Sequence, residues 1–196
     1  MAKYYAVKEG KQPGIYLTWD ECKKQVQGYS GAVYKSFTTK EEAEQFIAQQ
    51  PQTPKDVPGL IAYVDGSFNI KTKEYGYGCV LIDGGQVVKE VYGKGSHEDY
   101  VTMRNVAGEI FGSEVAIQYA IKHQYQAIYI YYDYEGIQKW ADGLWKANKV
   151  GTQRYQALIK EFRKKIDVQF IKVLAHSGDF YNERADKLAK KAVGIK

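Results

Sequence analysis

LIAYVDGSFN, residues 60–69, is the stretch on which the fold turns. An apolar run leads to Asp65, and Gly66 and Ser67 follow, so the segment reads as a strand ending in Asp-Gly-Ser. Next comes YGYGCVLIDGGQVVKEVYGKG (75–95), the pattern of a hairpin turning at Asp83-Gly84-Gly85. RNVAGEIFGSEVAIQYAIKH (104–123) has helical spacing, and AIYIYYD (127–133) is a second apolar strand ending in an acid. YEGIQKWADGLW (134–145) and TQRYQALIKEFRKK (152–165) read as helices, VQFIKVLA (168–175) as the last strand, and a final helix closes the chain. Strands that begin as a meander and later alternate with helices predict an α/β fold, a mixed sheet covered by helices.

Upstream, three prolines fall within AQQPQTPKDVPG (48–59), an extended linker by composition. It sets off a small segment that reads strand, strand, helix, strand, helix. Thr39 and Glu42 form a capping box for the last of these helices. Fewer than about 50 residues make a thin core. A unit of that size persists when it is compact and has one job, usually binding.

The formal charge of +5 is compatible with nucleic acid without arguing for it. Tyrosine is frequent, at 18 residues, and suits both half-buried strands and stacking on bases. Two cysteines, Cys22 and Cys79, without metal spacing exclude a disulfide framework or a zinc site. No run has the length of a membrane span and the N-terminus lacks an apolar leader core, so a reduced, cytoplasmic protein is expected.

Four acids stand out by context. Asp65 and Asp133 end apolar strands, where ligand sites of α/β sheets gather. Glu109 follows Ala107 and Gly108, whose small size lets the helix approach the sheet. Asp186 lies among Ala185, Leu188 and Ala189, near the face of the last helix that should be buried. Four acids on a buried scaffold repel one another unless cations intervene. Oxygen ligands of this kind suit Mg²⁺ or Mn²⁺, and two such ions can clamp a phosphodiester. Any one of these motifs alone is ordinary: Asp-Gly-Ser is a common turn and Asn-Glu-Arg-Ala-Asp a common helix start.

Taken together, YVDGSF (63–68), RNVAGE (104–109), IYYD (130–133) and HSGDFYNERADKLAKKA (176–192) resemble the type 1 ribonucleases H, of the bacterial kind, along nearly the whole chain. GIYLTWDECKKQVQGYSGAVYKSF (14–37) resembles the hybrid-binding domain that precedes many of them. The resemblance implies a ribonuclease H-like mixed five-stranded sheet with helices on both faces, preceded by a small α+β domain. Residues 1–48 would bind RNA–DNA hybrid, 49–59 would be the linker, and 60–196 would be catalytic. It further implies an endoribonuclease, acting as a monomer, that cuts the RNA strand of hybrids with two Mg²⁺ ions, Mn²⁺ being a substitute. One ion would activate water and the other stabilise the leaving 3′ oxygen, giving 5′-phosphate and 3′-hydroxyl ends.

Carried over residue by residue, the metal ligands would be Asp65, Glu109, Asp133 and Asp186, with His176 as a mobile group near the leaving oxygen. Asn105 would touch the minor groove, Trp19 and Tyr34 would face the DNA strand, and Lys35 would contact phosphate. Tyr134, Val106 and Ser36 depart from the residues relatives often carry beside these positions. Two other readings compete: a DNA-cutting nuclease of the same fold, and a non-catalytic protein that binds hybrid or double-stranded RNA. Labelled hybrid, double-stranded RNA and double-stranded DNA incubated with Mg²⁺ separate all three.

Overall fold

The computed structural model describes residues 3–29, 32–48, 58–173 and 179–195. The chain divides into two units, Met1–Gln52 and Thr53–Lys196. Residues 49–57 of the expected linker lie outside the described residues.

In the small unit, β1 (Tyr4–Glu9) is the centre of an antiparallel sheet, flanked by β2 (Gly14–Tyr16) and β3 (Val33–Phe37). Helix α1 (Trp19–Val26) separates β2 from β3, and α2 (Lys40–Ala48) follows. Both helices start on reciprocal caps. Thr39 and Glu42 exchange backbone-to-side-chain hydrogen bonds as expected, and Thr18 and Glu21 do the same at α1. The fully buried apolar residues are small: Ala6, Val7, Cys22 and Ala43.

The large unit holds the expected mixed five-stranded sheet, in the order β6-β5-β4-β7-β8. Strands β4 (Leu60–Asn69), β5 (Glu74–Asp83) and β6 (Gln86–Gly95) form an antiparallel meander, with Gly84 and Gly85 at positive φ in the β5–β6 turn. The β5–β6 register slips between Leu81 and Ile82. Strands β7 (Ala127–Tyr132) and β8 (Asp167–Lys172) add in parallel beyond β4. The helices are α3 (Glu98–Val101), α4 (Asn105–Lys122), α5 (Gly136–Ala141), α6 (Val150–Phe162) and α7 (Phe180–Ala192). The short α3 was not predicted by periodicity, because one turn carries too little of it.

Alternation along β4 divides the core. Leu60, Ala62 and Val64 pack with α4, α5 and α6 through Ile110, Ile117, Ile137 and Ile159. Ile61 and Tyr63 pack with α7 through Tyr181, Ala185 and Leu188. Helices therefore cover both faces, with α7 alone on its side among the described residues.

Two crossings have no room for side chains. A Cβ on Gly108 of α4 would collide with the Gly76 carbonyl oxygen of β5. On the other face, a Cβ on Gly78 would collide with the Ala185 carbonyl of α7. Gly112, one turn beyond Gly108, has its nearest neighbour at 3.4 Å, ordinary van der Waals distance. Gly108→Ala should therefore cost about 3 kcal/mol or more, lowering the melting temperature by roughly 6–12 °C. Gly112→Ala should be neutral or stabilising by up to about 1 kcal/mol, because alanine favours helix. Thermal unfolding followed by circular dichroism compares the two.

Candidate functional site

Strands β4 and β7 run parallel, and their last paired residues are Tyr63 and Tyr131. Asp65 and Asp133 each lie two residues farther on, so the register sets them side by side where the strands part. Asp133 follows the end of β7, as expected. Asp65 does not end its strand: β4 continues beside β5 to Asn69. What ends near Asp65 is the pairing with β7.

Glu109 reaches the same point from α4, and Gly66 makes this possible. A Cβ on Gly66 would collide with the Asn105 carbonyl oxygen and stand 2.6 Å from the Glu109 amide nitrogen. Without it, the first turn of α4 rests directly on β4 beside Asp65. One oxygen from each of Asp65, Glu109 and Asp133 then lies within 4.8 Å of the others. Asp186, in the second turn of α7, stands outside this group of three but is near enough for its charge to act on Asp65. Its Oδ2 accepts a hydrogen bond from Lys190 Nζ at 2.6 Å. Asn182, also on α7 and buried, places its Nδ2 3.5 Å from Asp133 Oδ2.

Burial, and then the charges of Asp133 and Asp186, push the Asp65 carboxyl up to about 8. The Gly66 amide, donating to Asp65 Oδ1 at 2.6 Å, and the charge of Lys190 oppose this rise. Glu109 is 1% exposed, and burial, followed by the charges of Asp65 and Asp133, holds its carboxyl well above the usual range. The Tyr134 amide donates to it and opposes the shift. Glu109 Oε2 and Asn182 Oδ1 are buried without hydrogen-bond partners among the described residues. These are hard oxygen donors, and ligands around a Mg²⁺-sized ion stand about 3–4 Å apart. A divalent cation fits the set with little closing, and it would satisfy the orphaned Glu109 oxygen.

Beside this cluster, a cavity of about 300 Å³ opens between the start of α4, α5 and the start of α6. Met103, Val106, Tyr134 and Trp140 give it an aromatic and apolar wall, and Lys146, Asn148 and Lys149 give it a basic and polar rim. Asn105, the first residue of α4, is exposed. Arg104 before it takes a left-handed φ of 54°, a conformation that costs energy in a non-glycine residue. His176 lies outside the described residues.

In the small unit, Trp19 and Tyr34 come together, 42% and 45% exposed, with ring centres 5.8 Å apart. Tyr5 extends the row, its ring 5.8 Å from that of Trp19. Lys35 does not join them. It follows Tyr34 in β3 and so projects from the opposite face, where its Nζ lies 5.6 Å from the centre of the Phe37 ring.

A family model described as "RNase H" matches residues 58–194, and one described as "Ribonuclease H1 N-terminal domain" matches residues 3–47. The chain belongs to the ribonuclease H family. It is 52% identical over 50 residues to Ribonuclease H of Saccharomyces cerevisiae, a match spanning 26% of this chain and 14% of that protein. Against human Ribonuclease H1 it is 25% identical over 252 residues, covering 95% of this chain and 88% of that one. The solved RNase H1 of the archaeon Halobacterium salinarum has the same fold, with a TM-score of 0.58 at 24% identity over 69% of this chain and 97% of that one.

Within this ribonuclease H fold, sequence reading missed Asn182, Lys190 and the Tyr134 amide. The spacing of Asp186 and Lys190, one helical turn, was the available signal for that pair. The other two contacts are long-range and have no signature in spacing.

The raised Asp65 carboxyl fixes a pH dependence. Between the unfolded value of about 4 and the folded value of about 8, the folded state holds more protons, so stability falls as pH rises through that window. In chelator, Asp65→Asn should therefore melt higher than wild type at about pH 8, and the gap should close by about pH 4. Calorimetry at the two pH values measures it. A divalent cation added at the higher pH should narrow the gap by stabilising wild type.

Proposed function

We propose that the chain is an endonuclease that hydrolyses the RNA strand of RNA–DNA hybrids, leaving 5′-phosphate and 3′-hydroxyl ends. The observation that carries this reading is the convergence of Asp65, Glu109 and Asp133 where β4 and β7 part, in a chain of this family. Two Mg²⁺ ions, or Mn²⁺ in their place, would supply Lewis acidity at the attacking and leaving oxygens of the phosphodiester when bound.

The residues divide the work. Asp65, Glu109, Asp133 and Asp186 would hold the cations, and the Gly66 amide orients Asp65. Asn182 steadies Asp133 from α7. His176 is assigned on its motif alone to proton delivery at the leaving oxygen, a task suited to imidazole near neutral pH. Asn105, exposed beside Glu109, faces the minor groove, where 2′-hydroxyls distinguish RNA from DNA.

Affinity comes from surfaces that read phosphate and shape, so cleavage is largely independent of sequence. The basic rim formed by Lys146 and Lys149 receives backbone phosphates, and Asn148 offers them a hydrogen bond. Trp19 and Tyr34 offer flat exposed rings to the DNA strand, and Lys35 contributes charge from the opposite face of β3. The enzyme on this reading acts as a monomer in the cytoplasm. No helix among the described residues is long and apolar enough to cross a membrane.

Labelled hybrid, double-stranded RNA and double-stranded DNA incubated with Mg²⁺ test the reading, and only the hybrid should be cut. Asp65→Asn and Glu109→Gln should each lower cleavage beyond the roughly 10–100-fold that changes outside a metal's own ligands cost, while hybrid binding persists. Cleavage near the wild-type rate by either variant would remove the assignment. Trp19→Ala should weaken binding of long hybrids by about 1–3 kcal/mol, roughly 5- to 150-fold, and leave turnover on short hybrids unchanged. Equilibrium binding and steady-state kinetics on the two lengths show whether the losses separate in this way.

A further inference from the structure

Lys190 is a charged side chain of the centre that the proposed chemistry leaves without a task. It lies one turn beyond Asp186 on α7, and its Nζ donates to Asp186 Oδ2 at 2.6 Å. An acid N-terminal to a lysine by four residues is the favourable orientation for such a pair. Its charge also reaches Asp65, where it opposes the upward shift. Meanwhile Asp186 is the one acid of the four that stands outside the mutual 4.8 Å grouping. We propose that Lys190 is a positioning residue: it holds Asp186 through Oδ2 and competes with a cation for that oxygen.

The geometry supports a side-chain exchange on a fixed helix. Asp186 and Lys190 are 31% and 43% exposed, so both can change rotamer without opening the core. The helix itself is tied down nearby. Arg184 is paired with Glu90 of β6, and Lys191 lies over the Tyr92 ring at 4.7 Å. Gly78 leaves no space between the Ala185 carbonyl and β5. An oxygen bonded to an ammonium competes poorly as a cation ligand, so the position that uses Asp186 is the weaker of the two. The position that uses Glu109 and Asp133, neither of which bonds to a lysine among the described residues, fills first. This inference rests on the reading that the four acids hold two cations, and it adds an order of loading to it.

The test uses the full chain with Mn²⁺ alone, in the absence of nucleic acid. Free Mn²⁺ is followed by electron paramagnetic resonance for wild type, Lys190→Gln, Lys190→Arg and Asp186→Asn, with circular dichroism confirming the fold of each. Wild type should show a tighter and a weaker class of site. Lys190→Gln should tighten the weaker class by roughly fivefold, about what one partly exposed ion pair is worth. Lys190→Arg should stay close to wild type. In an Asp186→Asn background, Lys190→Gln should change nothing further. Superimposable curves for wild type and Lys190→Gln overturn the proposal. So does a tightening that survives in the Asp186→Asn background, or a single class of site in both wild type and Lys190→Gln. Failure of the hydrolase reading shows elsewhere, as hybrid cleavage that persists in Asp65→Asn.

Discussion

Three carboxylates within 4.8 Å of one another repel, and the large unit is organised to hold them there. Two full charges at that separation cost about 3–4 kcal/mol at an effective dielectric of 20, and burial adds to this. No single element could sustain the arrangement. Parallel register supplies two acids, one helix a third and another helix the fourth, so yielding to the repulsion would mean pulling packed layers apart. The repulsion, with burial, raises the Asp65 and Glu109 carboxyls, so that they take up protons more readily. Part is met by the Gly66 and Tyr134 amides and by Lys190.

The layers can resist because backbone lies on backbone at the points that matter. At Gly66 and Gly108 on one face and Gly78 on the other, no side chain intervenes between helix and sheet. Backbone contacts of this kind cannot be adjusted by a rotamer change, unlike ordinary core packing. The centre is therefore as rigid as β4 and α4 together. The partly exposed side chains at its margin, Asp186 and Lys190 among them, have more freedom.

Much of this could be read in the chain, for identifiable reasons. The β5–β6 hairpin, the capping box at Thr39 and the acid at the end of β7 are local patterns, and each appears where expected. Asp65 was misread as a strand terminus because a run of apolar residues stops there. The apolar run reports burial between two helices, whereas strand length is set by β5, which continues to pair. The separation of Lys35 from Tyr34 follows from simple alternation in β3 and was open to prediction. The contacts of Asn182 with Asp133, and of the Tyr134 amide with Glu109, join elements distant in sequence and depend on packing that no spacing rule encodes.

The slip between Leu81 and Ile82 bears on how the protein behaves in a crowded solution. Strand β6 is one outer edge of the sheet, ten residues long, with Val88 and Tyr92 exposed. A flat edge of that length would recruit strands from other copies and seed aggregation. The irregular register bends the ribbon locally. Lys89 and Glu90 sit in the middle of the edge, and the Arg184 and Lys191 side chains of α7 lean across to Glu90 and Tyr92. An incoming strand would have to straighten the ribbon and pass the charged side chains of Lys89 and Glu90 before forming its own ladder. The edge of the sheet is thereby guarded against self-templating on that side by its own register and side chains.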